Sequence, residues 1–191
     1  MTTRPGSQAD AGPPAPQPAA VRAVFLVGFM GAGKTSVGEA LGRLLGWPFE
    51  DLDDRVQARE GRTIQQIFEE SGEAAFRRAE NTALRELLAE HGDVARVVAL
   101  GGGAFVQPEN AALLQRQGLP AVFLDAAPEE LFERCRQDQQ PERPLRRDLE
   151  QFRRLYDLRR PHYLKASLRV DTSGKDVESV AEEIVSRLGL R

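Results

Sequence analysis

Residues 22–35 read RAVFLVGFMGAGKT, and the rest of the chain is best read outward from them. The first six, Arg22–Val27, are a short apolar run that suits a strand buried on both faces. The next eight, Gly28–Thr35, satisfy G-x-x-x-x-G-K-[ST]. Behind them Val37, Ala40, Leu41, Leu44 and Leu45 recur at i, i+3, i+4, i+7 and i+8, the stripe of an amphipathic helix. Strand, glycine turn and helix start together give the context that makes the motif a phosphate loop. The glycines let the backbone wrap a phosphate with its N–H groups inward, and the helix N-terminus adds the positive end of its dipole. Lys34 then reaches the β- and γ-phosphates, and the Thr35 hydroxyl is a ligand for Mg²⁺. Gly31, Ala32, Gly33 and Ser36 complete the expected cradle for ATP. The chain has only three lysines against 23 arginines, so a lysine at position 34 is improbable as filler.

Beyond this unit the pattern keeps alternating. Gly46 closes the first helix and Pro48–Asp51 starts a second strand. Thr63 with Gln66 gives a capping box before Ile64–Glu70, and a longer helix is expected over about Glu73–His91. Val94–Leu100 reads as the third strand and runs into Gly101-Gly102-Gly103. Pro108 opens a helix ended by Gly118, Pro120–Leu124 is the fourth strand, and Pro128 opens the next helix. A helix over about Leu149–Arg159, a strand at Leu168–Asp171 and a last helix at Val177–Leu188 complete the set. Strands alternating with helices predict parallel βαβ units, an α/β sandwich with the sheet in the middle.

A length of 191 residues with 29% charged side chains suits one domain able to bury a real core. The net charge of −3 provides no global basic field for nucleic acid. Cys135 is the single cysteine, so an internal disulfide framework is excluded and a reducing compartment is expected. No apolar run approaches the ~20 residues of a membrane span, and no secretory leader is legible. A cytoplasmic protein is expected. Residues 1–20 hold five Pro and five Ala and no Val, Ile, Leu, Phe, Trp or Tyr, the composition of a disordered tail. The polar, Arg-rich stretch 137–148 (QDQQPERPLRRD) reads as a mobile loop.

The phosphate loop implies a nucleoside triphosphate and leaves the acceptor open: a small hydroxylated molecule, a nucleoside monophosphate, or none in a binding module. Glu50-Asp51-Leu52-Asp53-Asp54 lies at the end of the second strand. Period-2 alternation would put Asp51 and Asp53 on one face, one to order a metal's water shell and one to accept a hydroxyl proton. The competing reading is a helix N-cap followed by a solvated acidic turn. Gly101, Gly102 and Gly103 permit close backbone approach to a small ligand. Arg77, Arg143 and Arg159 carry planar forks suited to carboxylate or phosphate. His91 and His162 show no metal-ligand spacing.

Taken in order, GFMGAGKT at 28–35, D-L-D at 51–53, F-R-R-x-E at 76–80, LGGG at 100–103, E-R-P-L at 142–145 and R-R-P-x-Y at 159–163 resemble the shikimate kinase family. The resemblance spans about residues 22–188. It implies a phosphate-loop fold with a five-stranded parallel sheet in the order 2-3-1-4-5 and a mobile lid at about 137–148. It also implies ATP-dependent phosphorylation of the 3-hydroxyl of shikimate, on the route to chorismate and the aromatic amino acids. On this resemblance Asp53 holds the acceptor hydroxyl and is the base, and Asp51 supports Mg²⁺ through water. Arg77 and Arg159 clamp the shikimate carboxylate, Gly102 contacts ring hydroxyls, and Phe68 and Phe76 line the ring's apolar side. Glu80 orients Arg77 from one helical turn away. Arg143 reaches the γ-phosphate, while Arg136 and Lys175 border the adenine. The implied partners are ATP and shikimate, with no nucleic acid or membrane, and the implied state is a monomer.

Overall fold

The computed structural model describes residues 21–90, 94–137 and 148–190. The Pro/Ala-rich tail at 1–20 and most of the expected lid, including Arg143, lie outside them. Five strands, β1 (Ala23–Val27), β2 (Phe49–Asp51), β3 (Arg96–Ala99), β4 (Ala121–Asp125) and β5 (Leu168–Asp171), form one sheet in the order β2-β3-β1-β4-β5. Every pairing is parallel. β1 sits at the centre with all five residues at most 1% exposed, as an apolar run covered on both faces must be. The sheet and its order agree with the expectation from sequence.

Parallel register aligns the strand ends. Asp51 pairs with Ala99, Ala99 with Leu26, and Val27 with Phe123. Gly28, Asp51 and the Gly101–Gly103 turn therefore leave the sheet along one edge, the edge where α/β proteins build their sites. Helix α1 (Lys34–Leu45) packs against α7 (Val177–Leu188), and α5 (Pro128–Gln137) packs against α6 (Leu149–Tyr163). A Cβ at Gly38 would overlap the Phe49 ring, so the glycine lets α1 lie close on β2. Among the described residues no helix is long and apolar enough to cross a membrane.

Two local features differ from the sequence reading, and a third bears it out. A helix, α2 (Leu52–Glu60), follows β2 directly, although its polar composition and weak stripe gave no periodic signal. Its buried residues are only Leu52 and Val56, enough to seat it against α3 (Ile64–Ala89). Within α3 the chain kinks at Gly72, φ 78° and ψ 173°, a conformation reserved for glycine. The expected boundary between two helices falls at that kink, and the Thr63–Gln66 capping box is formed at the start of α3. Finally, α6 does not stop before Pro161 but continues to Tyr163.

Candidate active site

The phosphate side is built from β1, the loop after it and the start of α1. Gly33 is the N-cap in the left-handed region (φ 82°, ψ 21°), and no side chain caps the helix. The helix end is thus left to the loop backbone and to whatever anion lies before it. Lys34 folds back over the loop, its ammonium donating to the Gly28 carbonyl at 3.0 Å and the Phe29 carbonyl at 3.1 Å. The loop is backed by α5, because a Cβ at Gly31 would overlap the Leu131 carbonyl.

The Thr35 hydroxyl donates to Asp51 Oδ2 at 3.3 Å, while Asp51 Oδ1 accepts the Asp53 amide N–H at 3.0 Å. Asp51 is therefore the N-cap of α2, and Asp53 is in its first turn. This corrects the strand-alternation argument: the cap joins the Asp51 carboxylate to the Asp53 backbone amide, not to its carboxylate, and the competing N-cap reading holds for Asp51. Burial pushes the Asp51 carboxyl above its ordinary range, opposed by the Asp53 amide and by Lys34. A hydroxyl beside one carboxylate fits Mg²⁺, which keeps several waters and takes its remaining ligands from substrate phosphates. Among the described residues no cluster of three or more His, Cys, Asp or Glu forms a self-sufficient metal cage.

The acceptor side draws on four separate elements. Arg77 and Glu80 come from the second half of α3, Asp53 from α2, the glycine turn from the end of β3, and Arg159 with Tyr163 from α6. The three glycines are where these meet. A Cβ at Gly103 would overlap the Arg77 guanidinium, and one at Gly102 would lie 3.8 Å from Arg159 Nη1. A Cβ at Gly101 would lie 2.6 Å from Asp53 Oδ1 and 3.0 Å from Glu80 Oε1. Gly101 and Gly103 thus admit close approach of side chains from α2 and α3, while a Cβ at Gly102 would meet only ordinary contacts. Two cationic forks and a carboxylate stand over one short piece of backbone.

Each fork is held. Arg77 Nη1 donates to Glu80 Oε2 at 3.0 Å, and its guanidinium lies over the Phe76 ring at 5.1 Å. The Arg159 guanidinium lies over the Phe29 ring at 5.8 Å. The Tyr163 hydroxyl donates to the Gly102 carbonyl. Glu80 is fully buried, and burial pushes its carboxyl up to about 7, against the pull of Arg77 and Arg159 and with the help of the Asp53 charge. Phe76 is buried and stands 4.9 Å from Phe68, which is exposed.

The structure thus brings together Lys34, Thr35 and Asp51, and separately Asp53, Arg77, Arg159 and the three glycines. It does not bring Arg136 and Lys175 into contact: Arg136 is exposed beside Glu133 at 3.6 Å, and Lys175 pairs with Glu183 at 2.7 Å. Their surroundings do converge, since Arg134 of α5 donates to the Thr172 carbonyl at 2.9 Å and Glu130 accepts from the Gly174 amide at 3.4 Å. Tyr163 belongs to the R-R-P-x-Y segment, yet sequence reasoning assigns it no role. Its signal is the i, i+4 spacing from Arg159, hidden because the expected helix stops at Arg159. Arg160 faces elsewhere, pairing with buried Asp125 at 3.0 Å.

Comparison with known proteins bears on the whole of this arrangement. The family model described as shikimate kinase matches residues 30–189. A shikimate kinase of Thermus thermophilus is 44% identical over 176 residues, which is 91% of this chain and 92% of that protein. That of Geobacter sulfurreducens is 44% identical over 168 residues, 86% and 90% of the two chains. Among solved structures, the shikimate kinase from Acinetobacter baumannii in complex with shikimate superposes with a TM-score of 0.78 at 35% identity, covering 88% of this chain and 93% of that one. The Bacteroides thetaiotaomicron shikimate kinase gives 0.79 at 33% identity, covering 88% and 98%. With the fold, the phosphate loop and the glycine turn in place, this chain belongs to the shikimate kinase family.

Proposed function

We propose that the protein transfers the γ-phosphoryl group of ATP to the 3-hydroxyl of shikimate, giving shikimate 3-phosphate and ADP on the route to chorismate. The observation that carries this reading is the meeting of Arg77, Arg159 and Asp53 at the Gly101–Gly103 turn, beside the phosphate loop. A carboxylated, polyhydroxylated ring needs cationic forks at one end and an acceptor for hydroxyl protons at the other, and these residues supply both. Arg77 and Arg159 hold the carboxylate and so fix the ring's orientation. Asp53 accepts a hydrogen bond from the 3-hydroxyl and takes its proton as the new O–P bond forms and the bond to ADP breaks. Backbone of the glycine turn meets the ring hydroxyls, and Phe68 and Phe76 cover its apolar side.

Lys34 moves from the Gly28 and Phe29 carbonyls to the β- and γ-phosphates when nucleotide enters, exchanging neutral acceptors for charged ones. Thr35 and, through water, Asp51 would hold Mg²⁺, which supplies charge neutralisation across the transferred phosphoryl group. Arg143 is assigned to the γ-phosphate, and Arg136 and Lys175 to the adenine edge, on family resemblance. ADP release measured with a panel of acceptors tests the reading. Release that depends on shikimate, and not on nucleoside monophosphates or simple polyols, is expected. Turnover with a nucleoside monophosphate instead would overturn it.

A further inference from the structure

We propose that Gln107 is a positioning residue of the acceptor site, its side-chain amide holding the buried Glu80 carboxylate and, through it, the Arg77 guanidinium. The proposal rests on the reading of Arg77 as a carboxylate clamp and adds a residue that none of the family motifs contains.

Gln107 occupies the N-cap of α4 (Pro108–Arg116), with extended backbone at φ −72° and ψ 120°. Short polar side chains are favoured there because they reach back to the first amides of the helix. Gln107 makes no such cap. Its Nε2 instead donates to Glu80 Oε2 at 2.7 Å, across 27 residues of sequence. That oxygen already accepts Arg77 Nη1 at 3.0 Å, and the other oxygen, Oε1, is buried with no hydrogen-bond partner. Among the described residues, this fully buried carboxylate is therefore served by the arginine it must orient and by Gln107. Removing the amide would leave a buried anion served by Arg77 alone, a costly state that the group escapes by taking a proton. Once neutral it loosens Arg77, whose remaining carboxylate partner, Glu73, is on the exposed surface at 3.2 Å.

The charged and titratable groups facing Glu80 are Arg77 on its own helix, Asp53 on α2, and Arg159 with Tyr163 on α6. Burial outweighs the two arginines and holds the carboxyl at about 7, so a single donated N–H tilts its ionisation at neutral pH. A hydrogen bond to the charged form lowers the pKa, and its loss raises it. The acid limb of the pH profile for shikimate kcat/KM should therefore move to higher pH without Gln107.

Steady-state kinetics on the full chain, with Gln107→Ser and Gln107→Leu, test this. Serine can cap α4, so Gln107→Ser should keep or raise Tm while losing the bond to Glu80. The expected result for both variants is a shikimate KM raised roughly tenfold, as for one hydrogen bond to a charged group, with ATP KM unchanged and the acid limb displaced upward. Unchanged shikimate KM and acid limb in a folded variant would overturn the proposal. So would equal rises in both KM values with a lowered Tm, which mark a purely structural residue. Failure of the parent enzyme to turn over shikimate would sink the acceptor reading itself, a result distinguishable from normal parent kinetics with silent variants.

Discussion

The phosphate side and the acceptor side of this site are adjacent in space yet made in opposite ways. The first is one contiguous segment, Gly28–Thr35, a turn of glycine-rich backbone whose single cation is held on two carbonyls of its own loop. The second is assembled from α2, α3, the turn after β3 and α6, where Arg77 is held by the Glu80 side chain and Tyr163 by the Gly102 carbonyl. A backbone cradle can be specified by a short motif, because glycine and a helix start impose its shape locally. A side-chain cluster needs a shell of partners, and those come from wherever the fold delivers them.

If this division is right, changes on one side should leave the other's substrate alone. The largest effect belongs to Lys34→Ala, which should cut kcat by roughly 10²–10³-fold, as loss of one preorganised charge donor does, with the circular dichroism of the parent. Near-normal kcat in a folded variant would break the assignment of the loop. Next comes Arg77→Ala: shikimate kcat/KM should fall by about ten- to a hundredfold, the loss of charge-assisted bonds, while ATP KM stays put. Arg77→Lys should recover only part, since an ammonium lacks the fork. An equal loss in both KM values would mean that the two regions are not separable.

A smaller effect should appear in stability against pH. Burial raises the Glu80 carboxyl from the usual 4.5 to about 7, so the native state binds that proton more tightly than the unfolded chain. The resulting stability is complete below about 4.5 and is lost as pH rises to 7. Glu80→Gln, neutral throughout, should raise Tm at pH 8 by roughly 4 °C, what ~1–2 kcal/mol does in a domain of this size. The gain should vanish near pH 4.5, and shikimate KM should rise because Arg77 loses its ion pair. A Tm difference that is flat with pH would show that Glu80 is not the titrating group. The smallest change is Thr63→Ala, which removes the capping box of α3. A cost of about 1 kcal/mol is expected in urea titration, with ATP kinetics untouched.

How far the sequence could be read follows the same division. Periodicity and glycine punctuation located all five strands, and the phosphate loop was complete in eight residues. The acidic D-x-D was visible, but its geometry was not. Alternation of side chains on a strand and capping of a helix both bring Asp51 near Asp53, and only the helical φ/ψ of α2 chooses between them. That helix buries just two side chains, so it left no stripe to find. Pro161 acts in the other direction, because an exposed proline in the last turn of α6 removes one backbone donor without ending the helix.

What the sequence alone determined is the α/β class and the nucleotide-facing motif, since both depend on local conformation and on apolar patterns a few residues long. The convergence on the glycine turn was decided by tertiary structure. Nothing within reach of Gln107 in the chain tells it to reject its own helix cap and serve Glu80, 27 residues earlier. That choice exists only because packing buries Glu80 beside it, and a buried carboxylate takes the donors that the fold brings within hydrogen-bond distance.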